Sequence, residues 1–167
     1  MPAILAGRDV AAAADFVCWK CGKPHGPSQT AFRSAEHDFE VMFHATPDVQ
    51  EETSPSEPLT WVFTEASGSR LFQVRVTDAP SHFGSAVDFL HKMLTSLAGT
   101  IAQPLLTRIW NEDRSGLPAL RFSFTSAGRQ GDGVLVLRGS TLFTVVAIDH
   151  SVVGLERDRF VESFRVL

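Results

Sequence analysis

The sequence predicts an α+β domain in which an antiparallel sheet of about six to seven strands packs against one long helix and a short C-terminal helix. Three features lead to this prediction: stretches of alternating apolar and polar residues, one long stretch with apolar residues at three- and four-residue steps, and a glycine turn between two apolar runs. The predicted strands are residues 39–43, 59–64, 72–76, 105–111, 120–125, 134–137 and 142–148.

The clearest alternation lies at residues 120–125, where the sequence Leu-Arg-Phe-Ser-Phe-Thr is typical of a strand with one buried and one wet face. Residues 134–137 and 142–148 are apolar throughout, which indicates paired central strands with both faces covered. Between them, Gly139 stands at the first central position of a two-residue loop. Glycine there favours a type II′ turn, so we expect a tight hairpin.

Two helices are predicted. The longer runs over Ser81–Ala98, with Asp78 or Ser81 as the cap at its start and Gly99 at its end. Its apolar residues recur on one face: Phe83, Ala86, Val87, Leu90, Met93, Leu94 and Leu97. The shorter helix, Leu155–Ser163, is expected to close the domain against the sheet.

The chain divides by composition into an N-terminal arm, residues 1–35, and an α+β sandwich domain, residues 36–167. Within the domain, residues 46–58 contain four acidic residues, three prolines and no basic residue. This composition predicts a mobile, solvated loop, although its acidity would also suit a basic partner. Residues 128–133 have the glycine density of a turn that leads into a strand, not of a phosphate-binding loop before a helix.

The order of these elements resembles the fold shared by the photosystem II extrinsic protein PsbP, the Ran-binding Mog proteins and small bacterial relatives. The resemblance spans residues 36–167 and depends on the following features: Phe39-Glu40-Val41-Met42-Phe43 with Pro47 soon after it, two strands and the long helix, the Gly139 hairpin, and Phe160-Val161-Glu162-Ser163-Phe164. Members of this fold class are typically non-catalytic: they bind a protein partner, assist assembly or chaperone an apolar segment. The resemblance therefore implies a non-enzymatic binding or assembly module, and it transfers no binding residues.

Cys18 and Cys21 are the only cysteines of the chain, and their spacing allows both thiolates to bind one metal ion. The glycine that follows Cys21 is the usual residue of a zinc knuckle. His25 and His37 could complete a Cys₂His₂ zinc site, or two chains could pool their cysteine pairs into a Cys₄ site. Zinc bound in this way would anchor the arm or join two subunits as a homodimer.

Two other readings of the cysteine pair remain open. A redox-active dithiol usually starts a helix, whose dipole lowers the pKa of the first thiol. Here a glycine and two prolines follow within six residues, so that support is missing and redox activity ranks below zinc binding. The pair could equally be two free thiols.

Composition limits the classes of partner and the cellular compartment that we expect for this chain. The net charge of −4 favours neither nucleic acid nor an anionic membrane. The apolar start is broken by Arg8 and Asp9 and lacks a basic flank, so we expect no signal peptide and a cytoplasmic location. The expected partner is an unknown protein.

The remaining chemistry is sparse. Asp149-His150-Ser151 contains the residue types of a hydrolase triad, but consecutive residues cannot face one another as a triad requires. We read it as the polar end of a buried strand. Five arginines could line the wet face of the sheet and contact phosphates, which we treat as a minor alternative because the chain is acidic overall. These are Arg70, Arg75, Arg108, Arg121 and Arg138.

Overall fold

A computed structural model of the chain describes residues 30–80, 82–100, 105–150 and 154–167. Within these ranges the chain forms two helices and two antiparallel sheets. The helices are α1 (Ala86–Thr100) and α2 (Leu155–Ser163). The strands are β1 (Thr30–Ser34), β2 (Phe39–Phe43), β3 (Asp48–Ser54), β4 (Glu57–Ser67), β5 (Arg70–Asp78), β6 (Leu105–Arg114), β7 (Leu117–Ser126), β8 (Arg129–Arg138), β9 (Thr141–Asp149) and β10 (Arg165–Val166).

The larger sheet has seven strands in the order β3-β4-β5-β9-β8-β7-β6. Each neighbouring pair is antiparallel, so β3 and β6 form the two edges. The smaller sheet has the order β1-β2-β10. It lies with α2 over one face of the larger sheet, while α1 covers part of the other face. No helix in the described ranges combines the length and apolar character needed to cross a membrane.

Each face of the larger sheet has its own apolar core because side chains alternate between faces along a strand. On the α1 face, Phe122 of β7 and Leu135 of β8 pack with Leu90 and Leu94 of the helix. On the α2 face, residues of the alternate set pack with α2 and the smaller sheet. This second cluster is rich in aromatic rings: Phe39, Phe43, Phe63, Phe72, Phe143, Phe160 and Phe164.

Two glycines of β8 give the α1 face its shape. Gly131 lies opposite Phe124 and Gly133 lies opposite Phe122 in the β7–β8 pairing. A Cβ atom at Gly131 would come within 2.2 Å of the Phe124 ring, and one at Gly133 within 2.3 Å of the Phe122 ring. The rings therefore lie flat over strand positions that lack side chains. The glycine-rich stretch is a turn and a strand, as the sequence predicts.

The seven predicted strands and the short C-terminal helix are all present, and the Gly139 hairpin is confirmed. The strands do not form one sheet as predicted, because β2 pairs with β1 and β10 in the smaller sheet. Gly139 has φ 57°, the positive value that a type II′ turn needs at this position. Arg138 pairs with Thr141 directly across the turn, so the loop consists of Gly139 and Ser140 and joins two central strands of the larger sheet.

The predicted start of the long helix is wrong. The helix begins at Ala86, after Gly84, whose φ of 70° is incompatible with a right-handed helix. The Ser85 hydroxyl, not Asp78, accepts a hydrogen bond from the Asp88 amide at 3.4 Å, and Ser81 lies outside the described residues. The helix is therefore 15 residues long and continues through Gly99 to Thr100.

The acidic segment at residues 46–58 was also wrongly predicted to be a loop. It contains β3, which pairs with β4 from Asp48 to Ser54. The error has a physical cause: β3 is an edge strand with nearly all its side chains exposed, so it shows no apolar alternation. Thr30–Ser34, which the composition places in the N-terminal arm, pair with β2 as β1.

Candidate binding groove

A shallow groove opens where the β1–β2 turn meets the start of β4 and the end of β5. We call it the acid-rimmed groove and define it by Glu36, His37, Asp38, Trp61, Asp78 and Arg138. Its volume is about 160 Å³. Pockets that enclose small molecules measure roughly 300–1,000 Å³. The groove is therefore suited to side chains of a partner rather than to a complete small ligand.

The floor of the groove is aromatic. The His37 ring lies 5.1 Å from the Trp61 ring and 5.6 Å from the Phe63 ring, centroid to centroid. Both His37 and Trp61 are half-buried. Burial lowers the pKa of His37 from its usual value of 6.5, although the charges of Glu36 and Asp38 act in the opposite direction. The floor thus presents an uncharged aromatic surface near neutral pH.

The rim is acidic. Glu36, Asp38 and Asp78 are exposed around the floor, and Glu51 of β3 lies directly opposite Trp61 in the β3–β4 pairing. One cation, Arg138, faces them. It pairs with Asp38 at 3.0 Å and donates to the Leu167 carbonyl at 2.8 Å.

Exposed apolar side chains extend the groove toward the sheet edge. Leu59 is 39% exposed and Val49 is 42% exposed. Leu59 follows the same alternation as Trp61, and Val49 lies opposite Phe63, so both point to the α2 face. The surface around Trp61 therefore combines apolar contact area with a surplus of carboxylates.

A second depression, of about 250 Å³, lies between the β6–β7 turn and β10. Arg114 lines it and is committed to the fold. Its guanidinium donates to the Val161 carbonyl at 2.7 Å and the Phe164 carbonyl at 3.2 Å. Because these carbonyls end α2, Arg114 acts as a C-terminal cap for that helix.

Charged residues are buried beneath α2. Arg157 is 5% exposed, pairs with Asp132 at 2.8 Å and also pairs with Asp149. Burial by itself would lower the pKa of Arg157, but the hydrogen bonds and charges of these two carboxylates outweigh it and raise the pKa. Asp149 ends β9, as predicted for the polar end of a buried strand, and its partner is a structural cation.

A histidine lies at the other side of α2. The His44 ring stacks on Phe72 at 5.1 Å, and its Nδ1 is 3.6 Å from Glu65 Oε1, beyond hydrogen-bond distance. Burial lowers the pKa of His44, and the Arg70 guanidinium lowers it further. The Glu65 carboxylate instead accepts hydrogen bonds from the His44 and Ala45 amides at 2.6 and 3.1 Å. Glu65 therefore orders the end of β2.

Three of the four residues predicted to bind zinc, Cys18, Cys21 and His25, lie outside the described residues. The fourth, His37, lies in the aromatic floor. Across the described part of the chain, no group of three or more His, Cys, Asp or Glu side chains is arranged to hold a metal ion. The cysteine pair as a zinc or redox site thus stays a prediction.

The five arginines considered for phosphate binding do not form a free basic surface. Four pair with carboxylates: Arg70 with Glu156, Arg75 with Glu52, Arg121 with Asp158 and Glu162, and Arg138 with Asp38. The fifth, Arg108, lies over the Trp110 ring at 4.7 Å. They also lie on different faces, since Arg75 opposes Thr144 on the α1 side.

The sequence did not point to the groove. Its residues come from a turn and three strands, so they are far apart in the chain and meet only in the folded sheet. A weak signal was present at Trp61, a large aromatic residue on a strand that follows the acidic segment at residues 46–58. Aromatic residues at exposed strand positions are enriched in binding surfaces, but one such residue does not define a site.

Comparison with known proteins places the fold. No family model and no curated protein matches the chain. The structure is similar to the solution structure of cyanobacterial PsbP (CyanoP) from Synechocystis sp. PCC 6803, with a TM-score of 0.63, 15% identity, and coverage of 88% of this chain and 97% of that one. It is also similar to the protein of unknown function PA94 from Pseudomonas aeruginosa, with a TM-score of 0.46, 15% identity, and coverage of 79% and 90%. The predicted resemblance is thus confirmed at the level of architecture, and the chain has a PsbP-like fold.

Proposed function

We propose that this chain is a non-enzymatic binding or assembly module that holds a basic segment of a protein partner in the acid-rimmed groove. The observation that carries the proposal is the half-buried Trp61, which stands among Asp38, Asp78 and Glu51 with apolar surface beside it. Aromatic anchors surrounded by a polar rim are the usual centres of protein interfaces.

Charge supports a basic partner. Glu36, Asp38, Asp78 and Glu51 face one guanidinium, that of Arg138, which Asp38 already neutralises. Like charges gathered around an apolar floor repel an acidic segment and attract a basic one, which raises the rate of association and selects the partner. The exposed Leu59 and Val49 would contact apolar residues that alternate with the basic ones.

The PsbP-like fold is consistent with this role. The charged clusters beneath α2 do not support a catalytic role. There Arg157, Arg114 and Glu65 each bind groups of the protein itself. Cytoplasmic localisation remains a prediction from the sequence.

An NMR titration tests the proposal. The ¹⁵N-labelled full chain is titrated with a synthetic peptide of alternating arginine and leucine, and separately with peptides of alternating glutamate and leucine and of alternating arginine and serine. We expect the arginine–leucine peptide to bind most tightly, with chemical-shift changes centred on the Trp61 indole and the amides of residues 36–38. Shift changes centred on another surface, or equal binding of the arginine and glutamate peptides, would contradict the proposal.

A pair of variants on one strand supplies the control. Glu51→Gln removes a carboxylate beside Trp61, whereas Asp48→Asn removes one from the opposite face of β3. Because one exposed charge pair contributes about 0.2–1 kcal/mol, we expect Glu51→Gln to weaken peptide binding by about 1.4- to fivefold. Asp48→Asn should leave the affinity unchanged. An equal effect of the two substitutions would show that attraction is general and not localised at the groove.

A further inference from the structure

The second edge of the larger sheet, β6, exposes both apolar side chains and backbone. Among the described residues β6 pairs with β7 alone. Leu105 is 66% exposed and Ile109 is 42% exposed. A long edge strand with exposed apolar residues is a template for another strand, because its outer N–H and C=O groups are unpaired.

The charges of β6 suit a second copy of itself. Arg108 lies near its start. Glu112 and Asp113 lie near its end, which stays acidic overall although Arg114 follows them and pairs with Glu112. An antiparallel copy reverses this order, so the basic end of one strand meets the acidic end of the other. The opposite edge, β3, carries Asp48, Glu51 and Glu52 and no basic residue, and an antiparallel copy of it would bring carboxylates together.

Backbone geometry limits how two β6 strands can pair. The pairing of β6 with β7 shifts between Leu106 and Arg108, and it is regular from Arg108 to Arg114. Along a regular edge, every second residue turns its N–H and C=O outward, and such residues must oppose each other. When the two strands are identical, the numbers of any two opposed residues therefore add to an even number. One residue then opposes its own copy in the second chain, and the twofold axis passes between these two copies.

Two positions of the axis, Trp110 and Asn111, include most of the regular stretch in the contact. The charges of the opposed residues distinguish these two positions. With the axis at Trp110, Arg108 opposes Glu112 of the second copy, and this pair occurs twice. With the axis at Asn111, Arg108 would oppose Arg114 of the second copy, which places like charges together. The axis at Trp110 also sets the two Trp110 side chains opposite each other.

The side chains involved are already ordered on one face. Arg108 and Glu112 share the α2 face with Trp110, since they oppose Ser123, Ala119 and Arg121 of β7. The Arg108 guanidinium lies 4.7 Å from the Trp110 ring. Glu112 Oε1 accepts a hydrogen bond from Arg114 Nε at 2.6 Å, which holds this carboxylate in place.

We infer that two copies of this chain pair through β6 as an antiparallel dimer, with the twofold axis at Trp110 and Arg108 of each copy against Glu112 of the other. The two larger sheets become one continuous sheet across this contact. The surface is separate from the acid-rimmed groove, which lies near the opposite edge, so the dimer does not depend on the proposed function.

Sedimentation velocity with EDTA and a reductant tests the dimer without any contribution from the cysteines. We expect a monomer–dimer equilibrium for the wild-type chain. Arg108→Glu should raise its dissociation constant by about tenfold, because two opposite-charge pairs become like-charge pairs. Arg129→Glu, an equal change of charge on a central strand, should have no effect. A wild-type chain that stays monomeric at its highest soluble concentration, or a dimer that both substitutions weaken equally, would overturn the inference.

Crosslinking tests the register and does not depend on the charge change. In a Cys18→Ser/Cys21→Ser background, Trp110→Cys and Asn111→Cys are each treated with dibromobimane, which joins only neighbouring thiols. The axis at Trp110 predicts rapid crosslinking of Trp110→Cys and little of Asn111→Cys. Faster crosslinking at Asn111, or no crosslinking at either position, would contradict the proposed contact. Displacement of the second copy from β6 of the wild-type chain by another protein would also contradict it.

Discussion

The two faces of the larger sheet are covered by different chemistry. Under α1 the contacts are apolar, with Leu90 and Leu94 packed on Phe122 and Leu135. Under α2 the aromatic cluster is interrupted by buried charges, because Arg157 and Arg121 point from the helix and the sheet into the same layer. Among the described residues, α1 is held by hydrophobic contacts, and α2 is held by hydrophobic contacts and ion pairs.

This difference teaches how a short polar helix can be positioned. With nine residues, α2 buries only Phe160 and Val161 as apolar side chains, so apolar contact by itself would define its rotation poorly. Hydrogen bonds and ion pairs, which are directional, fix the rotation of α2. Arg157 joins it to β8 and β9, and the Ser163 hydroxyl accepts a hydrogen bond from the Met42 amide of β2 at 2.9 Å. Replacing a buried ion pair by packed apolar residues is often neutral for stability, so we infer that these pairs set the placement of α2 more than they add to its net stability.

The largest effect is expected from Arg157→Leu. This substitution removes the cation that pairs with the half-buried Asp132 and the buried Asp149, and removing one partner of a buried pair costs about 3–5 kcal/mol. Urea denaturation followed by circular dichroism measures the loss. Arg159→Leu, on the same helix but in no ion pair among the described residues, is the control. Equal losses for the two variants would mean that the ion pairs do not hold α2.

Leu94→Ala is the matched test of the α1 face. Leu94 is 2% exposed, and truncating a buried leucine to alanine costs about 2–5 kcal/mol. Because the lost contacts are apolar, the loss should be the same in low and high salt. Val87→Ala, at a position that is 41% exposed on the same helix, should change stability by less than about 0.5 kcal/mol. A salt-dependent loss for Leu94→Ala would remove the contrast between the faces.

The smallest effect concerns pH on the α2 side. The pKa of His44 is lowered by burial and by Arg70, with a further lowering by Arg159, while Glu65 and Glu156 act to raise it. The unfolded chain therefore binds a proton more readily, and the contribution of His44 to stability is lost as the pH falls below about 6.5.

Urea midpoints at pH about 7.5 and about 5.5 measure this dependence. We expect His44→Phe to lose less stability between the two pH values than the wild-type chain does. His37, whose pKa is also lowered by burial, keeps part of the dependence in that variant. His91→Phe, at an exposed position of α1, serves as the control. An unchanged pH dependence in His44→Phe would show that His44 makes no contribution.

Strands buried on at least one face were predictable because burial leaves a pattern in the chain. Leu120, Phe122 and Phe124 alternate with polar residues since one side of β7 meets α1. The strands that the sequence did not reveal are β1, β3 and β10. In β3 nearly every side chain is exposed, and β10 has only two residues, so neither carries a periodic signal.

The start of α1 and the partners of the charged residues depended on contacts distant in the chain. The predicted helix extended back to Ser81 because Phe83 fits the apolar spacing. In the structure Phe83 precedes α1 but packs on the same apolar cluster as the helix. In the same way, Arg121 was read as a wet-face residue, yet it is 2% exposed beneath α2. The alternation correctly placed it opposite the apolar face but could not show that a second layer covers that side.

The sequence by itself determined the class of the fold, six of the seven strands of the larger sheet, the Gly139 hairpin and the short terminal helix, because these follow from periodicity and turn chemistry within short stretches. Only the tertiary structure decided that β5 pairs with β9, that Asp132 and Asp149 share Arg157, and that Trp61 stands among carboxylates. Pairing and ion-pair choice join residues tens of positions apart. They are therefore set by how the layers pack, and no local pattern records them.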